Sequence, residues 1–136
     1  IPKMKEKNFG RIVNITSAMV KNPHLIMGLS TSARSGLHGL SKALSREVAQ
    51  FNITINNLLP ERIDTDRQTQ ILNFQAKLAN STYEEAKKDL EETLTAKRMG
   101  TVEEFSGICA FLCSKQAAYI SGQNISIDGG NSTNLI

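Results

Sequence analysis

The chain has no tryptophan, two tyrosines, three prolines and two cysteines in 136 residues. So few cysteines exclude a small secreted scaffold built on disulfides. No apolar run reaches the roughly 18 residues that a membrane-spanning helix needs. The opening stretch IPKMKEKNFGR is charged and no apolar segment follows it, so no secretory signal is visible and a cytoplasmic location is expected. Also missing is a G-x-G-x-x-G or G-x-x-x-G-x-G turn between a strand and a helix. Such turns are how α/β sheets usually hold the pyrophosphate of a dinucleotide.

What is present is ordinary for a globular chain: 40% hydrophobic and 21% charged residues, enough for a single domain over 1–136. The net charge of +3 is uneven. Residues 1–60 carry 8 Lys/Arg against 2 acids, and residues 61–136 carry 8 against 11. The basic residues of the first half are scattered, with few aromatics between them, so no nucleic-acid partner is expected. Cys109 and Cys113 lie four apart in a helical pattern, where they could share a metal. Both histidines, His24 and His38, are distant, and two buried, reduced core thiols are the expectation.

Periodicity orders the elements. Arg11 to Thr16 reads as a buried strand, and Asn52 to Leu59 as a second, ended by Pro60. Between them Ala33, Leu37, Leu40, Leu44 and Val48 recur at helical spacing, which predicts an amphipathic helix over Ser30–Gln50 with that stripe inward. Residues 61–96 are polar, with helical character at Asp66–Leu78 and Tyr83–Leu94. They read as a mobile helical cover. Ser81 with Glu84, or Thr82 with Glu85, offers a capping box there. Thr101 with Glu104 opens a further helix whose face holds Phe105, Ile108, Cys109 and Leu112, and NISIDGG forms a last strand. The alternation predicts an α/β fold with a parallel sheet: about three strands with flanking helices.

The stretches GRIVNITS, SARSGLHGLSKALSREVAQFNITINNLLP, IDT and RMGTVEEFSGICAFLCSKQAAYISGQNISIDGG occur in that order. Together they resemble the C-terminal half of a short-chain dehydrogenase/reductase of the 3-oxoacyl-acyl-carrier-protein reductase type. The resemblance implies the C-terminal part of a Rossmann-like, doubly wound parallel sheet. It implies NAD or NADP as cofactor and a small carbonyl or alcohol substrate, with residues 61–96 as the cover over that substrate.

Members of that family use a serine, a tyrosine thirteen residues later and a lysine four after that. Ser17 matches the serine, Ser30 stands at the tyrosine position and Arg34 at the lysine position. A serine hydroxyl does not titrate near neutrality as a tuned phenol can, so it cannot replace the tyrosine as proton donor unaided. Arginine stays charged and presents a rigid planar fork where lysine presents a compact ammonium. Arg34 could still bind ribose hydroxyls or a carboxylate. Read from the residues alone, Ser17 could cap a strand end, and Ser30 is expected as a helix N-cap rather than a catalytic group. Neither Tyr83 nor Tyr119 falls in the family's spacing, and packing is the role expected of both.

The resemblance also marks a cofactor loop, PERIDTDR, in which Pro60, Ile63 and Thr65 match positions that approach the nicotinamide carboxamide. Glu61 stands where the family has glycine and would carry strain if a positive φ were required there. The family's pyrophosphate-binding half would precede residue 1, which leaves an unpaired edge on the first strand. Three outcomes follow as expectations: part of a longer, atypical reductase, a non-catalytic oligomerising module, or a truncated gene product. A homo-oligomer is expected through the long helix, where Ala33, Gly36, Gly39 and Ala43 permit close approach.

Overall fold

The computed structural model describes residues 1–135. A short helix α1 (Pro2–Glu6) precedes strand β1 (Gly10–Ile15), and a long helix α2 (Gly28–Val48) leads to β2 (Ile53–Pro60). Helices α3 (Asp66–Ala79), α4 (Tyr83–Thr93) and α5 (Val102–Cys113) follow, and β3 (Asn124–Ile127) closes the sheet. The three strands are parallel in the order β1-β2-β3, as the alternating sequence requires.

β2 is central and buried from Ile53 to Leu59, which explains its near-continuous β-rich run. Side chains alternate across it. Val48, Ile53 and Ile55 pack with Ile12 and Leu44 on the α2 side. Leu58, Leu112 and Ala117 pack with Val13, Phe105, Ile108 and Cys109 on the α5 side, as that helix's periodicity implied. A third cluster, Leu72, Leu94 and Met99, joins α3 to α4 and takes in Tyr83. Among the described residues β1 pairs only with β2, so its outer edge is free.

Local signals hold where they are short in range. Thr82 with Glu85, rather than Ser81 with Glu84, makes the capping box of α4, and Thr101 with Glu104 makes that of α5. Asn52 and Asn80 end their helical segments in the left-handed region, which asparagine tolerates at low cost.

The long helix departs from expectation in two ways. It begins at Gly28, with Met27 in the cap position and no side-chain cap bond, so Ser30 is the third residue of the helix and not its cap. A 3-10 turn, Leu25–Met27, feeds directly into it and supplies the entry that a capping side chain would otherwise mark. Its buried residues are Thr31, His38, Ser41, Ser45 and Val48, while Ala33, Leu37 and Leu40 face outward. Of the five apolar positions expected inside, only Leu44 and Val48 pack in the core.

The buried polar stripe is partnered in part by the sheet, while Ser45 Oγ donates to the Lys42 carbonyl of its own helix at 2.8 Å and Thr31 Oγ1 is buried without a hydrogen-bond partner among the described residues. Asn14 Nδ2 donates to Ser41 Oγ and to Asn57 Oδ1, each at 3.0 Å, and Asn57 Nδ2 donates to Asn124 Oδ1 at 2.7 Å. One row of amides therefore crosses all three strands at paired register positions. Slipping either strand by one residue would break it.

Candidate active site

The carboxyl ends of parallel strands are where α/β sheets gather ligands. Thr16 and Ser17 follow the end of β1, Glu61 to Ile63 follow β2, and Asp128 and Gly129 follow β3. Ser17 is half-buried and its Oγ accepts from the Met19 amide at 3.2 Å, capping the 3-10 turn Ala18–Val20. Ser17 thus caps the turn that follows the strand, where the sequence alone suggested a strand-end cap.

Ser30 and Arg34 face the same side of α2, one turn apart. The Arg34 guanidinium donates to the Ser30 carbonyl oxygen at 3.3 Å and also to Ser30 Oγ. The two residues at the family's tyrosine and lysine positions are thus engaged with each other. A serine whose oxygen accepts from a permanent cation retains a hydroxyl proton, but nothing in this pair releases and recovers it near neutral pH.

His38, one further turn along, escaped the sequence reading because it lies on the polar stripe. Its Nε2 is 2.9 Å from Thr16 Oγ1, and Thr16 Oγ1 donates to the Leu58 carbonyl at 3.2 Å. Which of the two donates is set by the imidazole tautomer. Burial lowers the His38 pKa below its ordinary value, and the Lys21 ammonium lowers it further. A buried neutral histidine thus braces the residue just before Ser17 against α2. The signal that could have found it is its spacing, four residues beyond Arg34.

The loop after β2 is tightly held. Glu61 N donates to Ile127 O at 3.0 Å, Gly100 N to Arg62 O at 3.0 Å, and Asp64 N to Gly100 O at 2.8 Å. The positive φ in this loop is at Arg62, at 52°, so Glu61 carries no such strain. Glu61 Oε1 accepts from Asn131 Nδ2 at 2.9 Å, which ties the loop to the chain after β3. Pairing of Ile63 with Gly100 leaves the amide and carbonyl of Ile63 unused by that bridge, and Thr65 caps α3 through the Gln68 amide at 3.4 Å. That leaves one backbone donor and one backbone acceptor at Ile63 outside the bridge, between Pro60 and the Thr65 cap. The sequence supplies no glycine-rich cradle for a dinucleotide pyrophosphate.

Beside this loop is a cavity of about 280 Å³ whose lining includes Glu61, Arg62, Ile63, Arg98, Glu104 and Asp128. Arg98 clamps Glu104 at 2.8 and 2.6 Å, and with the Thr101 amide it holds that carboxyl at a pKa of about 2. Ser17, Ser30 and Arg34 do not line this cavity.

Two other expectations are corrected. Tyr119 is fully exposed, so it does not pack, because the turn before β3 presents it to solvent. Cys113 is exposed and only Cys109 is half-buried, because Cys113 is the last residue of α5, beyond the face held by Leu112.

Over residues 1–132 the chain matches the Enoyl-(Acyl carrier protein) reductase family. NADPH-dependent reductase BacG of Bacillus subtilis (strain 168) is 38% identical over 128 residues, which cover 94% of this chain and 49% of that protein. The 3-oxoacyl-[acyl-carrier-protein] reductase FabG of Aquifex aeolicus (strain VF5) is 34% identical, covering 94% of this chain and 47% of that protein. The crystal structure of YwfH, an NADPH dependent reductase involved in bacilysin biosynthesis, superposes with a TM-score of 0.89 at 36% identity, over 97% of this chain and 50% of that one. The chain therefore spans about half the length of the relatives it matches. With its motif order, its three parallel strands and a family match over nearly its whole length, the chain belongs to the short-chain dehydrogenase/reductase family and corresponds to the C-terminal half of its members.

Proposed function

We propose that these residues form the substrate side of an NADP(H)-linked carbonyl or alcohol oxidoreductase, and that the 136-residue chain alone carries out little or no hydride transfer. The choice of NADP(H) rests on relatives described as NADPH-dependent. In such an enzyme the nicotinamide supplies the hydride. Ile63 and Thr65 would hold its carboxamide, Arg34 would offer its remaining donors to ribose hydroxyls, and Ser17 Oγ would hold the substrate oxygen.

The observation that carries the proposal is the Arg34–Ser30 contact, which occupies both positions of the family's proton-transfer pair without supplying an acid that titrates near neutrality. The test is NADPH oxidation in the presence of ketones, aldehydes and a 3-oxoacyl thioester. The rate is expected at background. A rate proportional to chain concentration and removed by Ser17→Ala would overturn the inactive reading.

A second reading, an oligomerising module, is favoured by α2. Leu29 and Leu40 on that helix are 93% and 62% exposed while its inner face is polar. An apolar stripe turned away from a chain's own core is a surface suited to a second copy.

A further inference from the structure

Cys109 and Cys113 lie one turn apart on α5, and both are free thiols. Positions i and i+4 of a helix share a face, with Cβ atoms about 5–6 Å apart. Burial raises the Cys109 thiol pKa above its ordinary value, and the neighbouring Cys113 thiol raises it further. Cys109 packs at the edge of the Leu58, Leu112 and Ala117 cluster, and Cys113 opens to solvent. Among the described residues no third histidine, cysteine or carboxylate joins them in a metal-binding group.

Ligand number then selects the ion. Zinc takes four ligands in structural sites, and calcium and magnesium take six or more oxygens. Soft thiolates select Cu(I), which two sulfurs can hold. We propose that Cys109 and Cys113 form a two-thiolate site for one soft, thiophilic cation of the Cu(I) type. On binding, two S–H bonds break, two metal–sulfur bonds form, two protons leave to solvent and no electrons are exchanged. Because the protons must leave, binding strengthens as pH rises. α5 covers the sheet face opposite α2, so the site is separate from Ser17, Ser30 and Arg34.

The test is anaerobic titration of the chain with Cu(I) against a chromophoric Cu(I) chelator. One ion per chain is expected, with affinity rising with pH and falling at least about 100-fold in Cys109→Ser and in Cys113→Ser. Cys113 is exposed, so its serine variant is expected to keep the wild-type thermal melt. Uptake of two ions, no uptake, or unchanged affinity in Cys113→Ser would overturn the proposal.

Discussion

The guanidinium of Arg34 donates to both the carbonyl oxygen and the hydroxyl of Ser30, one turn earlier on α2. This contact is local to one helix and needs no substrate or cofactor to form. Arg34→Ala is therefore expected to cost no more than about 1.5 kcal/mol, the worth of ordinary hydrogen bonds. Urea denaturation followed by circular dichroism measures it. A loss of several kcal/mol would mean that Arg34 anchors the fold.

His38 makes stability depend on pH. Its folded pKa is lowered by burial and by Lys21, so the unfolded chain takes up the proton first as pH falls. The contribution is complete above the ordinary histidine value of 6.5 and is lost as pH drops from there toward the lower folded value. Denaturation midpoints measured through this range should fall with acid, and His38→Gln should flatten the slope. An unchanged slope in that variant would remove His38 as its source.

Asn57 links the amide row across the sheet, and its side chain is 2% exposed. Replacing it with alanine removes its bonds to Asn14 and Asn124 and leaves a void at a buried position, at an expected cost of about 2–4 kcal/mol. Urea titration of Asn57→Ala checks this. A cost below 1 kcal/mol, by about the same scale, would mean that water replaces the row.

Leu40 and Leu29 on the outer face of α2 are expected to hold a homodimer together. Leu40→Glu and Leu29→Glu should convert it to a monomer with an unchanged circular dichroism spectrum. Light scattering of the wild-type chain and both variants reads the result, and a wild-type monomer would contradict the expectation.

Thr101 caps α5 through the Glu104 amide at 3.2 Å. Thr101→Ala should cost about 1 kcal/mol. The Glu104 carboxyl, held at about 2 by Arg98 and the Thr101 amide, stabilises the fold above its ordinary value of 4.5, and that contribution is lost as pH falls toward 2. Thermal melts of Glu104→Gln should lose that acid limb. A melt with the same limb as wild type would assign it to other carboxyls.

The sequence disclosed most readily what depends on near neighbours. Thr101 and Glu104 are three residues apart and β2 is marked by its own composition, so both are legible, while for α4 the spacing leaves Ser81–Glu84 and Thr82–Glu85 open and the structure selects the second. The inner face of α2 was not. Hydrophobic periodicity finds the apolar stripe of a helix but not the surface it meets, and here the core takes His38 and Ser41 because Thr16 and Asn14 supply partners, while Ser45 bonds the Lys42 carbonyl of its own helix. Ser30 was misread as a cap for a related reason: the 3-10 turn that starts the helix early leaves no side-chain signal. The positive φ fell on Arg62 rather than Glu61 because three backbone bonds and a bridge to Gly100 set the loop's path, and those contacts are distant in sequence.

Calorimetric titration of the folded 136-residue chain with NADPH tests most directly whether these residues suffice for a reductase. The Pro60–Thr65 loop is proposed to hold only the nicotinamide end, so no saturable heat is expected at millimolar cofactor. Stoichiometric, saturable binding that Thr65→Ala weakens would contradict this, and would mean that a complete cofactor site is built within this chain.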